Sequence, residues 1–198
     1  MRRGLKPRRS GSGRAAVLVL DVISDFAFPD GPRVRRELHA RGPALRRFLD
    51  AARAKGIPVI YANDNLGAWR SDSPSLMARC TEARLPGAEL VLSLVPEATD
   101  EIVLKPRHSA FFGTPLEMLL GDHRIDTLVL AGISAESCVW MTACDAHTRG
   151  FALVVPRDTL AGASAKALRA TMTGLRDVLN ARVPARASTL RMARGRLI

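Results

Sequence analysis

The chain has 198 residues, 47% of them hydrophobic and 25% charged, proportions that predict one globular domain with a substantial core. No apolar run approaches the roughly 20 residues needed to span a bilayer, and three cysteines without close ligand spacing give neither a disulfide framework nor a zinc site. The formal net charge of +11 is terminal: six positive charges lie in residues 1–14 and five in 181–198, stretches without an acidic residue, which leaves residues 15–180 neutral.

A neutral body with basic ends and little aromatic interleaving predicts no specific nucleic-acid partner. The reading is a disordered basic arm at 1–14, one domain at 15–191 and a basic tail at 192–198. The arm lacks the apolar centre of a secretory signal. Free thiols at Cys80 and Cys144 then predict a reducing, cytoplasmic setting.

Ala15 to Val22 (AAVLVLDV) is an apolar run that ends in a carboxylate, Asp21. It predicts a central parallel strand buried on both faces, with Asp21 near the carboxyl end, the edge where ligands bind in open α/β sheets. A carboxylate there is costly to bury unless it is paired or has a job. Asp30-Gly31-Pro32 opens a helix whose apolar face runs Val34, Leu38, Leu45, Phe48, Leu49 and Ala52 to a stop at Lys55-Gly56. Pro58 to Ala62 is the next strand. The polar loop from Asn63 to Ser75, with Asn65 and Trp69, reads as a wall of a pocket. Leu76 to Pro96 holds short helical pieces. Glu101 to Leu104 is a third strand, followed by Lys105 and the loop PRHSAFFGT, which contains Ser109 and Phe111. Pro115 to Leu120 is a short helix.

Thr127 to Gly150 changes its hydrophobic period halfway. Thr127 to Ile133 is a continuous apolar strand signal; from Glu136 the period is helical, with Val139, Thr142, Ala143 and Ala146 on one face and Gly150 as the stop. Cys138 therefore falls in the first helical turn, where unpartnered N–H groups and the positive end of the dipole ease ionisation of a thiol and can receive an oxyanion. Cys144 lies about 240° further round the helix. Phe151 to Val155 is a fifth strand, Ser164 to Asn180 a helix, and Ala187 to Leu190 a last edge strand. No Gly-rich phosphate loop follows the first strand. Alternating strands and helices predict an α/β fold, a single-domain parallel-sheet sandwich of Rossmann-like type with helices on both faces.

Asp21, Lys105 and Cys138 each fall at or just past the carboxyl end of a predicted parallel strand, so they share one edge of the sheet. Asp21 can take the thiol proton, and the Lys105 ammonium favours both the carboxylate and the nascent thiolate. Phe26, Asn65, Trp69, Ser109, Phe111 and Trp140 are the expected lining of the substrate pocket. His108, three residues past Lys105, reads as an exposed loop histidine in preference to a partner in a Cys-His mechanism. Asp25, Asp64 and Asp145 read as structural or solvated.

Three segments resemble the isochorismatase-like cysteine hydrolases in order: VLVLDVISDF, LKPRHSAFFGTPL and LVLAGISAESCVWMTACDAHTRGF, spanning roughly Ala15 to Asn180. The resemblance implies a triad of Cys138 as nucleophile, Asp21 as general base and Lys105 as electrostatic partner. It also implies a cis peptide at Ile133-Ser134, with the Ser134 and Cys138 N–H groups as oxyanion hole, and a homo-oligomer, dimer or tetramer. Nicotinamidases of that family carry an Asp and several His residues as a metal site after the second strand. Here the same place holds Asn63, Asp64 and Asn65 with no histidine nearby, so neither metal nor cofactor is expected. Ile23 and Ser24 replace the usual Gln and Asn and alter the entrance. The expected activity is hydrolysis of a small amide or related C–N bond through a thioester, with water activated by Asp21 releasing the acid. The alternative is a catalytically weak ligand-binding or thiol redox-sensing protein whose basic arms bind polyanions.

Overall fold

The computed structural model describes residues 13–70 and 72–198, so most of the basic arm expected at 1–14 lies outside the described residues. Arg14, counted with that arm, instead opens the first strand, β1 (Arg14–Leu20), where it pairs with Ile125. The remaining elements are α1 (Gly31–Ala54), β2 (Val59–Asp64), α2 (Ser73–Cys80), α3 (Ala88–Ser93), β3 (Glu101–Lys105), α4 (Leu116–Asp122) and β4 (Ile125–Gly132). A π-helical turn (Ala135–Val139) leads into α5 (Trp140–Thr148), then β5 (Ala152–Val154), α6 (Ala165–Asp177), β6 (Met192–Ala193) and β7 (Arg196–Leu197).

Strands β1 to β5 form one parallel sheet in the order β3-β2-β1-β4-β5. The continuous apolar run of β1 makes it the centre, because both of its faces must be covered. Ala15, Val17 and Val19 point into a cluster with Val34, Leu38, Leu45 and Phe48 of α1 and Leu90 and Val91 of α3. Ala16, Leu18 and Leu20 point the other way, onto Leu116 and Leu120 of α4, Ala143 of α5, and Met172 and Leu175 of α6. Alternation along one strand thus sorts the helices into two layers.

The register sets the functional edge. Leu20 pairs with Gly132, so Asp21 and Ile133 leave the sheet side by side; Lys105 pairs with Asp64 one strand further out. Gly132 (φ 111°) is required there, since a Cβ would lie 2.1 Å from the Leu20 carbonyl oxygen.

The C-terminal segment departs from expectation. Ala187–Thr189 is a 3-10 turn in place of an edge strand, held by the Asp158 carboxylate, which accepts the Ala187 N–H at 2.8 Å. Residues 192–197, expected as a free tail, form an antiparallel hairpin whose Gly195 accepts from the Ala15 N–H and donates to the Lys55 carbonyl, both at 2.9 Å. Among the described residues no helix is long and apolar enough to cross a membrane.

Candidate active site

Asp21, Lys105 and Cys138 meet at the carboxyl edge of the sheet. Lys105 ends β3, yet its partner Asp21 follows β1, two strands away; the lysine stem crosses the end of β2 to put Nζ 2.9 Å from Asp21 Oδ2. A side chain shorter than lysine cannot cover that span at the roughly 4.8 Å spacing of strands. Nζ also lies 3.8 Å from Asp64 Oδ2, donates to the Arg107 carbonyl at 3.2 Å, and sits 3.6 Å from Cys138 Sγ. The Lys105 side chain is 0% exposed. Asp21 adopts a left-handed backbone conformation (φ 54°) and accepts the Asp64 N–H at 2.7 Å on Oδ1.

Burial and charge set the protonation states. Burial raises the Asp21 carboxyl above its ordinary value, an effect that the Lys105 cation opposes without cancelling. Burial works against the Lys105 ammonium, but Asp21, then Cys138, hold its pKa above the usual lysine range. The Cys138 thiol is pushed up to about 12, first by burial and then by the Asp21 charge. This corrects the expectation of a thiol eased into ionisation by a helix start: Cys138 lies in a π turn of five residues, and burial, with the Asp21 charge second, raises the thiol. Burial thus favours the protonated thiol, the paired carboxylate favours the charged ammonium, and the Asp21 carboxyl is tuned toward accepting a proton.

The peptide bond Ile133-Ser134 is cis. Around it, Ile133 donates to Leu20 O, Ala135 to Ala161 O, and Ser137 and Val139 to Ser134 O. Among the described residues the Ser134 N–H has no protein acceptor in this turn.

A cavity of about 420 Å³ opens on Cys138, with Asp21, Ile23, Ser24, Asp64, His108 and Ser134 among its walls. Its rim is set by Arg79 of α2, paired with Asp25 at 2.7 Å. The expected lining is largely elsewhere. Phe26 turns into the core against Gly87, and Phe111 packs on Phe151 at 5.8 Å between ring centres. Ser109 donates to the Asp145 carboxylate. Trp140 lies against Gly174 of α6. Asn65 and Trp69 line an adjoining cavity that shares Leu66 and Arg79 with the first, and Trp69 is 79% exposed. The entrance residues Ile23 and Ser24 do face the cavity.

Two residues that the sequence left as bland belong here. Asp64 faces Lys105, and its Oδ1 accepts the Leu66 N–H at 2.7 Å. His108 Nδ1 lies 3.6 Å from Cys138 Sγ and 3.3 Å from Ser137 Oγ. The three-residue spacing from Lys105 was the available signal for His108, because a chain leaving a strand end folds back over the same edge. Arg79 had none, since its partner Asp25 is 54 residues away. At the end of β2, Asn63 gives its amide to the Ile23 carbonyl and Asp64 is engaged by Leu66 and Lys105. Those side chains do not fit the metal site of a nicotinamidase. Among the described residues no three His, Cys, Asp or Glu side chains gather as a metal site.

A five-stranded parallel sheet flanked by helices, with a thiol, an acid and a buried ammonium at its carboxyl edge, defines the class as an α/β fold. The family model of the isochorismatase domain matches residues 15–185, and the chain belongs to that family of hydrolases. It is 30% identical over 168 residues to the isochorismatase family protein YaaI of Bacillus subtilis (strain 168), covering 85% of this chain and 92% of that one. It is 32% identical over 170 residues to N-carbamoylsarcosine amidase of an Arthrobacter species, covering 80% of this chain and 63% of the relative. Among solved structures, N-carbamoylsarcosine amidase from Thermoplasma acidophilum superposes with a TM-score of 0.68 at 27% identity, covering 90% of this chain and 99% of that one.

Proposed function

We infer that this protein hydrolyses a small amide through a thioester on Cys138, without a metal. The observation that carries the reading is the placement of Lys105 Nζ 2.9 Å from Asp21 and 3.6 Å from Sγ, beside a cavity sized for a small molecule. Both named amidases among the similar proteins are consistent with it.

As Sγ attacks the carbonyl carbon, the thiol proton moves to Asp21, whose raised pKa makes it a capable acceptor. Lys105 stays charged and stabilises the sulfur as its charge develops. The N–H groups of Ser134 and Cys138 receive the oxyanion. Asp21 returns the proton to the departing nitrogen, the C–N bond breaks, and water then releases the acid. A thiol held near 12 is a poor redox sensor, because oxidation requires thiolate character.

The test is turnover of a panel of primary amides and N-carbamoyl compounds by the parent and by Cys138→Ala. Hydrolysis should fall at least about a thousandfold while the melting transition is retained. Residual turnover within tenfold of the parent would exclude Cys138 as nucleophile.

A further inference from the structure

Charge is unevenly divided on the wall of the cavity over Cys138. Three carboxylates stand there, Asp21, Asp25 and Asp64, against one guanidinium, Arg79. A second cation, Lys105, is fully buried behind Asp21, so with Asp21 ionised the balance is negative. Both cations are already paired: Lys105 Nζ lies 2.9 Å from Asp21 Oδ2, and Arg79 meets Asp25 at 2.7 Å. Asp64 is the carboxylate left over. Its side chain is 37% exposed, its nearest cation is Lys105 at 3.8 Å, and its Oδ1 accepts the Leu66 N–H at 2.7 Å. Asp21 Oδ2, on the same wall and nine-tenths buried, meets the ammonium as an ion pair but takes no hydrogen bond among the described residues. The wall thus offers open acceptors and no unpaired cation. His108, the remaining titratable group at the mouth besides the thiol, adds positive charge only when protonated.

The surplus charge is within reach of a substrate. Lys105 Nζ is 3.8 Å from Asp64 Oδ2 and 3.6 Å from Cys138 Sγ, so carboxylate and sulfur are no further apart than those two distances laid end to end. A group a few bonds from the carbonyl carbon that Sγ attacks therefore comes up against Asp64. An anionic group there meets like charge and finds no free cation; an ammonium completes the pairing. Resting on the amide-hydrolase reading above, we propose that the substrate is an amide whose remote group is an ammonium, and that Asp64 is the residue that selects it. The carboxylate attracts the cationic amide and repels the anionic one, so both signs contribute to the discrimination. The backbone of Asp64 has a separate task, because its N–H holds Asp21 Oδ1 at 2.7 Å. Arg70, a cation of the adjoining cavity, is not on this wall.

The test reads the field at the sulfur separately from turnover. Trimethylammonioethyl and sulfonatoethyl methanethiosulfonates each form a disulfide with Cys138, the thiolate displacing methanesulfinate, and they differ in the sign of their charge. The ratio of their rates on the full chain, followed by mass on the Cys138 peptide and normalised to mercaptoethanol, cancels any change in thiol ionisation. The parent should favour the cationic reagent. Asp64→Asn should lower the ratio about tenfold, and Arg79→Met, which frees Asp25, should raise it. Asparagine keeps an acceptor for Leu66 and the backbone N–H for Asp21, so the melting transition should match the parent. Turnover of β-alaninamide should likewise exceed that of succinamate, with the preference reduced in Asp64→Asn. A parent ratio that favours the sulfonate, or a ratio unmoved in Asp64→Asn, would overturn the assignment. The expected ratios without hydrolysis of any amide, cationic, neutral or anionic, would instead overturn the amide-hydrolase reading.

Discussion

Among the described lysines only Lys105 is buried, and its coupling to Asp21 and Cys138 has a consequence that can be read in solution. The carboxyl and thiol each shift the other's ionisation, so their titrations belong to the pair. When Asp21 loses its proton, a minor form with the proton on the carboxylate and charge on sulfur becomes available; the majority thiol ionises only toward about 12. Alkylation of Cys138 should therefore rise twice with pH. The first rise is small and follows Asp21, above the ordinary carboxylate value because burial raises it. The second is still climbing at about pH 10. Asp21→Asn should remove the lower step and move the upper one down, since the carboxylate charge is part of what raises the thiol. Mass-resolved iodoacetamide kinetics read both limbs, and a single step near the free-cysteine value of about 8.5 would refute the coupling. If acylation proceeds as proposed, with Asp21 taking the thiol proton, activity should be lost as pH falls through the raised Asp21 pKa.

At the scale of elements, the functional edge depends on how closely β4 approaches β1. Gly132→Ala would place a Cβ 2.1 Å from the Leu20 carbonyl oxygen at a residue with φ 111°, and should cost about 3 kcal/mol or more. Gly121, inside α4, has nothing within 4 Å of its would-be Cβ, so Gly121→Ala should gain roughly 0.5 kcal/mol from helix propensity and chain entropy. Denaturant midpoints separate the two, and similar values would mean that β4 can shift. The contrast also explains what was legible in the sequence. Strands β1, β2 and β4 carry continuous apolar runs that two-sided burial explains, and edge strand β3 a shorter one from Ile102 to Leu104, so their existence and the edge bearing Asp21, Lys105 and Cys138 could be read directly. The cavity walls could not. Phe26 has φ 55° and turns into the core, and Phe111, Ser109 and Trp140 meet partners from distant segments. Aromatic character in a loop does not distinguish a wall from a core residue; that depends on the turn before it.

For the whole molecule, the position of charge matters more than its sum. The basic C-terminal segment folds back as β6 and β7, pinned through Gly195 between the start of β1 and the end of α1. Arg194 and Arg196 thus ride on a folded hairpin, and most of the basic arm expected at 1–14 lies outside the described residues. The neutral body is also knit by charge between α1 and β3. Arg53 of α1 bridges to Asp100, ahead of β3, by two hydrogen bonds of 3.1 and 2.6 Å, and Asp100 also accepts the Glu97 N–H at 2.8 Å. The Asp100 side chain is 1% exposed. That clamp fixes the long helix against the edge strand that delivers Lys105. Removing Asp100 takes two hydrogen bonds from Arg53, which keeps Asp50 at 3.1 Å and Glu97 at 3.0 Å, and leaves the Glu97 N–H without its acceptor, so Asp100→Ala should lose about 1–2 kcal/mol. Arg33→Ala breaks only the exposed pair with Asp30 at 3.6 Å and should change stability by less than about 0.5 kcal/mol. Because β3 would loosen with the clamp, Asp100→Ala should also weaken catalysis more than Arg33→Ala at temperatures where both remain folded. Equal stability of the two variants would show that the helix is held by its apolar face alone; a stability loss without a catalytic one would show that Lys105 keeps its place independently of the far end of its strand.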